Sequence, residues 1–159
     1  MPKNLTNRVK QWIIVLARLD RLITLTGVAR QHNIPHSTAH HLVRLLKGII
    51  EARKIGGVIY IAPYGKFDEY AAQWGKWFYE MAVRLLNGCR SQCCRVPIST
   101  VYKYYRTKII ARAREELGLL RPIGITAFIY YSVKAYKEDA AEIISEKPFI
   151  KVCRGKAHN

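Results

Sequence analysis

The chain has 159 residues, half of them hydrophobic, enough to bury one core or two small ones and too many for a disordered polypeptide. Its 27 Lys and Arg against 11 Asp and Glu leave a formal charge of +16 and a pI near 10.0. That excess implies a polyanionic partner, nucleic acid ahead of an acidic membrane surface, over the blander reading of solvated surface cations.

The acids are also unevenly placed: residues 1–50 hold only Asp20, and residues 81–114 hold none. No apolar run reaches the length of a membrane span, and MPKNLTNRVK lacks the apolar segment of a signal peptide. The expected location is therefore intracellular, in cytoplasm or nucleoid, or in a virion if the chain packages nucleic acid.

Residues 5–23 read as a first helix, with Val9, Trp12, Ile13, Leu16 and Ile23 as an apolar stripe. Leu25 to Pro63 then reads as two short helices and a β-hairpin. Thr26 is the expected cap of a helix over Gly27 to His32. Asn33 tolerates a left-handed turn, Ile34 drops behind it into the core, and Pro35 restricts the approach. Ser37 or Thr38 can cap the next helix. In it Ala39, Leu42, Val43 and Leu46 share one apolar face, and His40, His41, Arg44 and Lys47 lie opposite. Gly48 ends it. Residues 49–53 and 58–61 read as strands joined by Lys54-Ile55-Gly56-Gly57, which has the glycines a tight hairpin needs.

This order of elements resembles the winged helix-turn-helix family of DNA-binding domains, the archaeal type in particular. The resemblance covers residues 8 to 63 and rests on the small Ala29, the turn Asn33-Ile34-Pro35, the helix start Ser37-Thr38 and the Gly-Gly wing. It implies a mainly α fold with a small β wing, a recognition helix at Ser37–Lys47 that enters the major groove, and wing contacts from Arg53 and Lys54.

After Pro63 a connector leads to a helix over residues 68–87, opened by Asp68 and Glu69 at its positive end. Its aromatic stripe of Trp74, Trp77, Phe78, Met81 and Leu85 is read as a core or dimer face ahead of a base-stacking surface. The chain then echoes itself at a constant offset. Gln11-Trp12 matches Gln73-Trp74, Pro35 matches Pro97, Ser37-Thr38 matches Ser99-Thr100, and Arg44 matches Arg106. A second helix-turn-helix over residues 68–131 follows, making the winged fold tandem. Its basic helix would run from Ser99 to about Leu117 and offer Lys103, Arg106, Lys108, Arg112 and Arg114. Residues 125–131 read as a wing strand or the start of a last helix. The expected domains are 1–64, 65–147 and a basic tail 148–159.

Other chemistry finds little support. His36 and His40 have a metal-compatible spacing, but no nearby Cys, Asp or Glu completes a site. Cys89-x3-Cys93-Cys94 lacks the paired C-x2-C of zinc sites, so buried thiols or a disulfide to Cys153 are preferred. The four cysteines do not make a secreted framework, and intracellular disulfides imply a hyperthermophilic source. No phosphate-binding glycine loop or paired carboxylates point to an enzyme, a cofactor or a small-molecule substrate.

The expected function is double-stranded DNA binding, as a transcription regulator. Ser37 and Thr38 would hold a phosphate at the helix start, His40, His41, Arg44 and Lys47 would lie against the groove, and a homo-oligomer would double the footprint. The alternative is architectural: a nucleoid protein, or a coat protein like the DNA-wrapping ones of filamentous archaeal viruses. A single-strand binder stacking bases on Tyr102, Tyr104 and Tyr105 ranks last.

Overall fold

The computed structural model describes the backbone of residues 3–154 and the side chains of residues 7–154. The first unit comprises α1 (Lys3–Ala17), β1 (Ile23–Thr24), α2 (Leu25–Gln31), α3 (His36–Leu45), β2 (Ile50–Ile55) and β3 (Val58–Pro63). The second comprises α4 (Phe67–Leu85), β4 (Cys93–Pro97), α5 (Ile98–Tyr104), α6 (Arg106–Arg112), α7 (Ile125–Tyr136), β5 (Ala141–Ile144) and β6 (Lys147–Cys153). Each unit carries a three-stranded antiparallel sheet, ordered β1-β3-β2 in the first and β4-β6-β5 in the second. The molecule is thus a mixture of helices and two small antiparallel sheets. None of its helices among the described residues is long and apolar enough to cross a membrane.

Local chemistry explains where the elements begin and end. Ile23, expected at the end of the first helix, instead pairs with Ile61 as a strand. Thr24, not Thr26, caps α2. Its hydroxyl oxygen accepts from the Gly27 N–H at 3.0 Å, and the same hydroxyl donates to the Leu117 carbonyl at 2.9 Å. One side chain therefore ends a strand, starts a helix and ties the two units together. Asn33 takes the left-handed turn (φ 54°), and Ile34 is buried behind it. The hairpin turn is tighter than the sequence implies. Ile55 pairs with Val58, and Gly56 and Gly57 alone form the loop at φ 59° and 82°, the two-residue turn that positive φ at both positions allows.

Two cores meet at the first sheet. Trp12, Leu16, Leu42 and Ile61 belong to the first, and Trp74, Phe78, Phe128 and Val133 to the second. The second core also takes Leu22, Ile55, Tyr60 and Ala62 from the first unit. Successive β3 side chains point to opposite faces, so Ile61 enters one core while Tyr60 and Ala62 enter the other, and all three are fully buried. The boundary expected after residue 64 falls between β3 and α4, yet the cores do not separate there. Within the second unit, Gly75 of α4 lies against the Ser132 backbone of α7 with no room for a Cβ. The stripe on α4 is a core face, with Trp74, Phe78 and Met81 buried and Trp77 and Leu85 packed at its edge.

The second half departs from its expected outline in the basic helix and in the tail, while α7 and the Cys93–Cys153 bond follow readings the sequence leaves open. The long basic helix is broken at Tyr105 into α5 and α6, and a π-turn over Ala113–Leu117 ends it at Gly118 (φ 66°). Residues 125–131 are helical and begin α7. Residues 148–153 of the expected tail belong to strand β6, while residues 155–159 lie outside the described residues. Cys93 bonds Cys153 across β4 and β6, and Cys89 bonds Cys94. The echo exists, but in another register. β1 and β4 each pair with the last strand of their unit and lead into a short helix, so α5 is the counterpart of α2. The helix before the second hairpin, the counterpart of α3, is α7.

Tyr60 stacks on Phe128 with ring centroids 4.8 Å apart, and its buried hydroxyl has no hydrogen-bond partner. Tyr60→Phe is expected to leave stability unchanged or raise it by about 1 kcal/mol, because it removes only that orphaned group. Tyr60→Ala strips the joint between the cores and is expected to cost about 3–5 kcal/mol. Urea unfolding of the two variants measures both effects.

Candidate nucleic-acid interface

The first unit is a scaffold that holds α3 outward. The Trp12 indole N–H donates to the His32 carbonyl at 3.2 Å and fastens α1 to the end of α2. The Ile34 N–H donates to the Ala29 carbonyl at 2.8 Å and fixes the turn into α3. Ala39, Leu42, Val43 and Leu46 point inward and are buried, as their spacing implies. The outer side exposes His36, Ser37, His41, Arg44 and, just past the helix end, Lys47. No acid lies anywhere between Arg21 and Ile50, so nothing in the local chain neutralises this face.

Neither Ser37 nor Thr38 caps α3. Pro35 occupies the cap position and makes no side-chain hydrogen bond to the helix. Ser37 and Thr38 sit inside the first turn instead, where the free N–H groups of a helix start favour an anion. One histidine ring donates to the other: His40 Nε2 and His36 Nε2 are 3.1 Å apart. No third metal-ligating side chain joins them among the described residues. Together with Lys54 they line a groove of about 310 Å³ between α3 and the hairpin.

The two wing cations differ. Lys54 is exposed. Arg53 is engaged within the chain: it donates to Glu51 at 2.6 Å, to Asp68 at 2.7 Å and to the Tyr131 hydroxyl. The Tyr131 hydroxyl donates in turn to Asp68 at 2.6 Å. Burial and that bond push the Tyr131 pKa up to about 12, so it stays a donor at neutral pH. The Arg53 guanidinium also lies over the Phe67 ring at 4.7 Å. Arg53 is thus a tie between the units, unlike the freely exposed Lys54 expected beside it as a wing contact. One side of the hairpin tip is occupied as well, because Gly56 meets Gly124 and Ala127 at the start of α7 so closely that a Cβ would collide, while Gly57 beside it stays open.

The second set of candidates divides in the same way. Lys103, Arg106 and Lys108 are exposed on α5 and α6. Arg112 is half-buried and engaged within the chain. Its guanidinium covers Trp74 at 4.5 Å and Trp77 at 4.4 Å and pairs with Glu116 at 2.5 Å. This placement also covers the rings that a base would need. Of the three tyrosines, Tyr104 is 70% exposed, and Tyr102 and Tyr105 pack against the second core. Two further cations, Arg30 on α2 and Arg121 beyond the π-turn, line a groove of about 290 Å³ at the junction of the units. Nothing in the sequence singles them out. Arg30 is one cation in an acid-free stretch, and Arg121 lies in what reads as a plain turn.

No protein-family model matches the chain, and no curated protein matches it. Among solved structures it is similar to a hypothetical protein from Pyrobaculum spherical virus, at 12% identity and a TM-score of 0.56. The likeness covers 94% of this chain and 96% of that one, so it extends over both units. At that identity it concerns the fold alone.

Arg53→Ala is expected to destabilise the protein by about 1 kcal/mol, since the pair with Asp68 is partly exposed and screened. Lys54→Ala is expected to change stability by less than about 0.5 kcal/mol. Thermal unfolding of both variants separates the tie from the exposed cation.

Proposed function

We propose that the chain is a tandem winged-helix protein that binds double-stranded DNA, with α3 as the helix laid in the major groove. The observation that carries this reading is the outer face of α3: an exposed cationic and histidine-bearing surface, free of acids, held by a buried face and a tight turn. The element order and the strand order of the first unit support the family assignment. Arg44 and Lys47 reach base edges or phosphates, His41 lies close to the groove, and Ser37 and Thr38 place a phosphate at the helix start. The expected role is a regulator that occupies discrete sites.

A second reading, an architectural protein that coats DNA, is favoured by one observation. Cations are not confined to α3, and Lys103, Arg106 and Lys108 expose a further basic surface on the second unit. That distribution suits binding to phosphates wherever they lie.

Arg44→Ala and Lys47→Ala are each expected to weaken duplex binding by about 5- to 100-fold in fluorescence anisotropy. Unchanged affinity in both rejects α3 as the reader. Titration against random and genomic duplexes separates the two roles. A regulator prefers one sequence by about a thousandfold or more, and a coat protein binds every duplex with a steep salt dependence.

A further inference from the structure

The groove that holds His36, His40 and Lys54 does not end at the hairpin. Its lining shares Thr26, Gly57 and Val58 with the groove of Arg30 and Arg121. The two are therefore one furrow with the hairpin tip as its floor. It runs from the first turn of α3, across β2 and β3, to the loop after Gly118 in the second unit. A Cβ built on Gly57 would meet nothing within 4 Å, so the floor is open.

The charge along the furrow has one sign. Lys54, Arg30 and Arg121 line it, and no acid does. Neither Arg30 nor Arg121 belongs to an ion pair among the described residues. The furrow also cannot easily change shape. Gly27 lies against Gly118, and Gly56 against Gly124, at distances that leave no space for a side chain. The backbones that carry two cations from different units are thus held in a fixed relation.

Resting on the duplex-binding reading above, we infer that this furrow carries the sugar–phosphate backbone of the same duplex across the junction. Arg30 and Arg121 each bind a phosphate, one from each unit. A guanidinium suits this task because its paired N–H groups match two phosphate oxygens. The hairpin then acts as the floor under the backbone, where an isolated wing would reach out beside it. The footprint spans both units although the reading helix belongs to the first alone.

The test is the salt dependence of binding to a labelled duplex of about two helical turns, between about 50 and 200 mM salt. Arg30→Gln and Arg121→Gln are each expected to reduce the slope of log affinity against log salt by about 0.9, and the double variant by about twice that. Lys76→Gln, on α4 and outside the furrow, is expected to leave the slope unchanged. Circular dichroism melting checks that each variant folds. A double variant with the wild-type slope, alongside weakened binding by Arg44→Ala and Lys47→Ala, overturns the furrow and leaves the reading helix standing. A wild-type protein that ignores duplex DNA in dilute salt overturns both.

Discussion

Strand β3 is buried on both sides, and the rest of the molecule is arranged around that fact. Ile61 completes the core beneath α1, α2 and α3, while Tyr60 and Ala62 complete the core beneath α4 and α7. A strand with two apolar faces cannot sit at the edge of an isolated domain, because one face would meet water. The second unit is what covers it. The Thr24 hydroxyl, the Arg53–Asp68–Tyr131 cluster and the Gly56–Gly124 approach all lie along this joint and fix its geometry.

That joint decides which surfaces are left for a partner. Gly56 on one side of the hairpin tip and Arg53 are consumed by it, and Arg112 is held over two indoles on the α4 stripe. The counterpart of α3 in the second unit, α7, buries Ile125, Phe128, Ile129 and Val133 and packs along α4. It is a structural helix. The units therefore share a plan but not a role, since one presents its third helix outward and the other uses it to support the first. In the proposed complex, the exposed cations of α3, the furrow and α5–α6 are what a polyanion meets.

The first unit was largely legible in the sequence. Period-3.6 spacing placed the buried face of α3, and Asn33 and the two glycines placed the turns, because each is a local requirement that one residue type satisfies best. The misreadings have physical causes. The sequence does not single out Thr24 as a cap because Thr26 stands where a cap would also fit, and only the tertiary bond to Leu117 decides between them. The register of the second unit is not legible because Pro, Ser and Thr mark helix starts alike, and because α6 stands between the helices that correspond to α2 and α3. The run Val58-Ile59-Tyr60-Ile61-Ala62 does not alternate with polar residues, which marks a strand buried on both faces. The fates of Arg53 and Arg112 carried no such signal, since a cation bonded inside the chain and a cation awaiting a phosphate have the same letter.

Backbone amide chemical shifts, followed as duplex DNA is added to ¹⁵N-labelled protein, test the central claim most directly. If the joint fixes one rigid body and leaves α3 and the furrow to the duplex, shifts concentrate at residues 36–47, Arg30, Lys54 and Arg121, and Gly75 and Ser132 in the α4–α7 contact stay in place. Shifts confined to α5 and α6, with α3 silent, would contradict the account.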